Sequence, residues 1–259
     1  GKITRFILPS PPESPRLKVI PGDGNCTIYW TDNSRQSLDP ISKKLDFEGY
    51  NVYATATGFD VFGTPDLKDD LDLVASYDSL GNPYGFNTGF LPIKLDEPMI
   101  FEGDTNQYVF RYTLDPLPNG WQTAVSVTAF DKGDLNSGLE SLESAVLSNT
   151  VRAFPGAPGS DLDSVEPYVY PNPYYLGASW EGNSNFQEES RKLIFSNLPQ
   201  NARITITTAG GDFIDSFDHH GDYNGSDIRW FQSFGAENSN QNVFSGGEHA
   251  WDLLSRESQ

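Results

Sequence analysis

An all-β fold of two β-sandwiches in tandem is what this sequence predicts, and three observations carry that prediction. Short runs of alternating apolar and polar residues, rich in β-branched and aromatic side chains, recur along the chain. A period of two marks strands with one buried face. The 24 glycines and 18 prolines are spread throughout, the turn chemistry of many short strands. Finally, Pro155-Gly156-Ala157-Pro158-Gly159-Ser160 has the composition of a short Pro/Gly linker. It divides the 259 residues into two units of ordinary domain size. A hydrophobic fraction of 37% with 13% aromatics is enough to pack both cores.

Taken in order, residues 1–15 carry Pro9, Pro11, Pro12 and Pro15. Such a stretch lacks ladder donors and favours extended geometry, so it reads as a linker. Leu17-Lys18-Val19-Ile20 is a short strand and Pro21-Gly22-Asp23-Gly24 a turn. Cys26, Ile28 and Trp30 then alternate with Thr27, Tyr29 and Thr31, predicting a half-buried strand. Tyr50 and Val52 repeat the pattern against Asn51 and Tyr53. Val125, Val127 and Ala129 repeat it against Ala124, Ser126 and Thr128. Asn149 to Phe154 closes the first unit. Cys26, the only cysteine, lies in an apolar run and reads as a buried, inert thiol.

Residues 12–154 resemble a fibronectin type III domain. The resemblance rests on the Pro-rich lead-in, Trp30 at the end of the second strand and Glu48-Gly49-Tyr50-Asn51-Val52-Tyr53. Leu117-Pro118-Asn119-Gly120 before a strand and Val125-Ser126-Val127-Thr128-Ala129-Phe130 complete it. It implies a sandwich over 16–154 with an indole between the sheets. Two features depart from the family. Thr123, with Trp121 nearby, stands where a corner tyrosine is usual. Residues 58–108 exceed the usual connection, which predicts an extra hairpin or a surface excursion. That segment holds Asp66, Asp69, Asp70 and Asp72, then a Gly/Asn/Pro-rich stretch from Ser79 to Pro92.

After a linker at 155–164, residues 165–259 resemble the C-terminal immunoglobulin-like domains of large bacterial surface proteins. These include the hook-capping type and the type IX secretion sorting domains. The residues that carry this are Tyr170-Pro171-Asn172-Pro173, Arg191 to Pro199, Ala202-Arg203-Ile204-Thr205-Ile206, the Gly210-Gly211 turn and Trp251-Asp252-Leu253. Gly210-Gly211 suits a hairpin because glycine adopts positive φ freely. Modules of this type carry one or two strands beyond the Trp-Asp-Leu segment. The expectation is therefore a last strand that is either cut off or supplied by a partner, and a chain excised from a longer precursor. The 219–245 stretch reads as an insertion. The sorting-domain resemblance implies export and retention at the cell surface, or release.

Charge narrows the function classes. Thirty-six acidic residues against 17 basic give a formal charge of −19, which repels nucleic-acid backbones and anionic membranes. No apolar run reaches the length of a membrane-spanning helix. No Gly-x-Ser-x-Gly elbow and no phosphate-cradling Gly-x-x-x-x-Gly-Lys occurs. His219 and His220 are neighbours that point to opposite faces of a strand and so do not share one metal; they read as a solvated loop.

The best cation candidate is the loop Asp131-Lys132-Gly133-Asp134-Leu135-Asn136, where Asp131, Asp134 and Asn136 offer the hard oxygens calcium prefers. Asx-type turns explain the same residues without metal. Tyr223, Trp230, Phe231 and Phe234 form an aromatic set suited to a protein interface or to stacking on sugar faces, and Phe244 adds to it. Tyr168, Tyr170, Tyr174, Tyr175 and Trp180 cluster at the start of the second unit. Core packing accounts for the same rings.

The function expected is a non-catalytic structural or assembly module of a larger bacterial surface or secreted protein. It would be extracellular or at the cell surface, partnered by other chains or by neighbouring domains of its precursor. The alternative is a carbohydrate-binding accessory module of a secreted polysaccharide-active enzyme.

Overall fold

The computed structural model describes residues 9–40, 43–55, 67–133, 138–159, 166–175, 192–225, 227 and 242–253. Its regular structure is strand, with three short 3-10 turns, at Asn33–Gln36, Leu67–Asp70 and Val146–Ser148. The larger unit is built from β1 (Leu17–Gly22), β2 (Asn25–Trp30), β3 (Phe47–Thr55) and β4 (Leu71–Asp78), followed by β5 (Lys94–Met99), β6 (Tyr108–Leu114), β7 (Thr123–Asp131) and β8 (Val151–Phe154). One sheet has the order β1-β2-β6-β5 and the other runs β4-β3-β7-β8. The two sheets make a β-sandwich.

The two sheets close on a core centred on Trp30, which is fully buried. Its ring stacks on Phe110 with centroids 5.7 Å apart and meets Tyr50 edge-on at 5.8 Å. Ile28, Val52, Val125 and Val127 fill the space around it. Each comes from the inward face of an alternating strand, as the period-two pattern requires. Burial pushes the Cys26 thiol up to about 12, so it stays protonated and inert. The 3-10 turn at Asn33–Gln36 delivers Arg35 to the open end of this core. Its guanidinium lies 4.5 Å from the Phe90 ring centroid and 5.3 Å from that of Phe110, capping the aromatic stack by cation–π attraction. β7 is buried on both faces because residues 141–149 fold back over it. Ser126 donates to the Val146 carbonyl, and Thr128 to the Glu143 carboxylate.

The long 58–108 segment contributes strands to both sheets. β4 pairs with β3 from Gly49 opposite Asp78 to Thr55 opposite Leu71, and β5 flanks β6. Both are edge strands. β5 is mostly exposed and carries Pro98, which an edge tolerates. Residues 56–66, Asp66 among them, lie outside the described residues; Asp69 and Asp70 sit in the 3-10 turn that leads into β4.

The Gly/Asn-rich stretch after β4 is an ordered loop folded around one carboxylate. Asp78, 2% exposed, accepts hydrogen bonds from the backbone N–H groups of Phe86, Asn87 and Thr88 and from the Thr88 hydroxyl. Burial alone would raise its pKa, but these donors outweigh it and hold the carboxyl below the ordinary value. Asp78→Ala is expected to cost on the order of 2 kcal/mol and to speed hydrogen exchange at the Phe86, Asn87 and Thr88 amides while the Trp30 core stays protected.

The smaller unit has two sheets. β9 (Tyr168–Tyr170), β10 (Leu193–Ser196) and β14 (His249–Trp251) pair in the order β14-β10-β9. β11 (Asn201–Thr207) and β12 (Phe213–His220) form the hairpin expected from Gly210-Gly211, with Gly211 at φ +92°. The hairpin packs on the three-stranded sheet. Phe217 meets Phe195 edge-on at 5.8 Å, and the Trp251 indole N–H donates to Asp215 at 2.9 Å. Among the described residues β9 and β14 each pair only with β10, and residues 254–259 lie outside the description.

The two units are stitched together. β13 (Asn242–Phe244) runs parallel to β8 and extends the larger unit's sheet to five strands. Phe244 stacks on Phe154 at 4.4 Å with nearly parallel rings. The start of the expected linker is buried and bonded to both sides. Gly120 donates to the Pro155 carbonyl, Gly156 donates to that of Gly22, and Ser245 donates to that of Ala157. Residues 160–165 lie outside the described residues.

Candidate functional site: a buried polar junction

Among the described residues, buried ionisable groups gather where the units meet, around Gly246-Gly247-Glu248-His249. Glu248 and Lys192 are each 1% exposed. The Glu248 carboxylate accepts from the Ser196 hydroxyl at 2.8 Å and from the Tyr170 hydroxyl at 3.1 and 3.2 Å. Tyr170 also touches the larger unit: a Cβ on Gly120 would sit 2.5 Å from its hydroxyl oxygen. A Cβ on Gly156 would sit 2.2 Å from the Glu248 carboxyl carbon. Glycine at these two positions is what allows three chain segments to converge on one carboxylate.

Burial pushes the Glu248 carboxyl up to about 7 from 4.5, against the opposing pull of Ser196, Tyr170, the Ala157 backbone and the Lys192 charge. Burial and the neighbouring Glu248 charge raise the Tyr170 hydroxyl in turn. A folded-state value above the ordinary one means the protonated form is favoured by folding. That contribution is complete below the unfolded value near 4.5 and is lost as pH rises through about 7. Over that interval it amounts to about 3 kcal/mol. The melting temperature of the wild-type chain is therefore expected to fall between about pH 5 and about pH 8 by more than that of Glu248→Gln.

On the far side of β14 from Glu248, two histidines meet. His219 is fully buried and His249 is 3% exposed. Their Nδ1 atoms are 3.3 Å apart, His219 Nε2 is 3.1 Å from the Gly246 carbonyl, and His249 Nε2 is 3.3 Å from Asp227 Oδ2. His219 is thus an interior residue of β12, where a solvated loop was expected. The alternation Asp215, Phe217, His219 along β12 turns it inward, while His220 stays exposed and bonds to Asn201.

Asp131 uses Oδ1 to accept from the backbone N–H groups of Gly133 and Leu142, both at 2.9 Å. This is the turn-closing role open to it without metal. Asp134 and Asn136 lie outside the described residues. Among the described residues no group of three or more His, Cys, Asp or Glu side chains is placed to hold a metal ion.

Tyr223 is half-buried, stacked on His249 at 3.9 Å and against Phe244 at 4.9 Å. It belongs to the packing of the smaller unit; Trp230, Phe231, Phe234 and Trp180 lie outside the described residues. Tyr168 and Tyr175 are 50% and 83% exposed. A groove of about 680 Å³ runs between β1 and β13, with Arg16, Lys18, Asn106 and Phe244 on its walls.

Sequence reasoning missed Glu248, Lys192 and His249. The signal present was the Gly246-Gly247 pair directly before Glu248, since adjacent glycines ahead of a short strand mark close backbone approach. Comparison with protein-family models finds no match, and none of the curated proteins matches the chain.

Proposed function

We propose that this chain is a non-catalytic structural module of a larger bacterial surface or secreted protein, a stiff strut that spaces or anchors its neighbours outside the cell. The observation that carries this reading is the junction. A strand of the smaller unit extends the larger unit's sheet, and one buried carboxylate ties residues from both sides together. A joint made this way resists bending, whereas a flexible linker would let the units swing. The −19 charge suits a solvated extracellular surface. Among the described residues β9 and β14 pair only with β10, and their outer edges suit assembly by strand addition to a neighbouring chain or domain.

Small-angle scattering is expected to fit one fixed arrangement of the two units, and a screen of ester, peptide, glycoside and phosphate substrates to stay at background. Turnover of any of these, abolished by a point substitution in the chain, would overturn the reading. Carbohydrate binding is the second reading, favoured by the exposed rings of Tyr168 and Tyr175. A glycan array with hits lost on Tyr175→Ala would support it, and an array without hits would remove it.

A further inference from the structure

The hydrogen bonds of the two buried histidines fix how many protons they carry. A carbonyl oxygen only accepts, so His219 Nε2, facing Gly246, must be protonated. An ionised carboxylate also only accepts, so His249 Nε2, facing Asp227, must be protonated too. Two protons are then spent at the outer ends of the pair. The Nδ1 atoms still face each other at 3.3 Å. With no third proton these would be two lone pairs pointed together in a dry interior. Moving a proton inward only transfers the conflict to Asp227 or to Gly246. Three protons on two rings satisfy every contact, and three protons mean one imidazolium.

We propose that His249 is that imidazolium, donating to Asp227 and to His219 at once, and that losing its proton breaks the His249–His219 bond between β14 and β12 while the Trp251–Asp215 bond stays in place. The surroundings of His249 fit a cation. Phe217 and Tyr223 both stack on it, at 4.5 and 3.9 Å with interplanar angles of 23° and 27°. Two rings at those distances occupy opposite faces, so the imidazole sits between two electron-rich surfaces. Asp227 supplies the counter-charge, and its side chain, 37% exposed, gives the proton a route to water. Burial raises the Asp227 pKa, but the bond and charge of His249, with the Tyr223 hydroxyl, bring it below the ordinary value. His219 is held below its ordinary value, first by burial and also by the His249 charge, which suits the neutral partner.

The other charged groups nearby are committed elsewhere or lie farther off. Asp215 on β12 accepts from Trp251, Glu248 faces Ser196 and Tyr170 near Lys192, and His220 and Asp222 act on His219 only through space. The latch is closed while the proton is present and opens as pH rises.

The test is a long-range proton–nitrogen spectrum of the imidazoles, recorded on the full chain from about pH 5 to about pH 9. The expected spectrum at the acidic end shows His249 with both nitrogens protonated and His219 as the neutral Nε2–H form. Both rings then shift at one common midpoint, and the Ala250 amide exchanges faster above it. Asp227→Asn removes the counter-charge and is expected to move that midpoint to lower pH. Glu248→Gln is expected to leave the transition in place, which separates it from titration of the junction carboxylate. A neutral His249 throughout, unrelated midpoints for the two rings, or a midpoint unmoved by Asp227→Asn would each overturn the proposal. The wild-type spectrum decides the question even if a variant fails to fold.

Discussion

Trp30→Ala is expected to destabilise the chain by about 4 kcal/mol, the largest effect of any single truncation in the larger unit. Trp30 is fully buried at the point where both sheets converge, and it touches Tyr50 and Phe110 from opposite sheets. Removing the indole loses its transfer free energy and leaves a cavity walled by strands β2, β3 and β6, which are hydrogen-bonded on both sides and cannot collapse inward. Trp30→Phe keeps most of the ring volume and is expected to cost less than half as much. Urea unfolding curves check both, with the midpoint falling and the slope unchanged. A Trp30→Ala variant within about 1 kcal/mol of the parent would mean that the indole is not the keystone of the sandwich.

Gly156→Ala is expected to cost about 3 kcal/mol, a large effect for one added methyl group. The new Cβ would meet the Glu248 carboxyl carbon at 2.2 Å, far inside contact distance. Glu248 cannot retreat without breaking its bonds from Ser196 and Tyr170, and residue 156 cannot retreat without breaking its bond to Gly22. The strain falls on the junction, because residue 156 lies just beyond β8. The Trp30 core is therefore expected to keep its hydrogen-exchange protection, while the β13–β8 pairing and the Glu248 contacts are lost. A variant whose exchange pattern matches the parent throughout would show that the junction relaxes at little cost.

The parts of this fold that were legible in the sequence are those where burial has a clean period. β2, β3 and β7 alternate apolar and polar residues because each has a face on the Trp30 core, and Gly210-Gly211 marked the β11–β12 hairpin. β4 and β5 were legible only as an extra hairpin or a surface excursion, not as edge strands of two different sheets. They lie at sheet edges, where pairing is one-sided, so exposed Leu73 and Val74 on one and Lys94, Asp96 and Glu97 on the other blur the alternation.

The junction was hidden for a different reason. Residues 155–159 have the composition of a free linker, but composition does not reveal whether backbone groups find partners, and here Gly22, Gly120 and Ser245 provide them. Glu248 and His219 were passed over because charged and polar residues default to the surface. Only the bonds that Glu248 receives from Tyr170 and Ser196, and those that His219 makes to Gly246 and His249, show that the two are buried and matched.

Differential scanning calorimetry of the intact chain tests the one-piece strut most directly. Two units sharing a five-stranded sheet and a buried carboxylate are expected to melt together, in one transition whose calorimetric and van't Hoff enthalpies agree. Gly156→Ala is expected to split that transition in two. Two separate transitions in the unaltered chain, each unmoved by Gly156→Ala, would contradict the strut and leave two independent sandwiches on a tether.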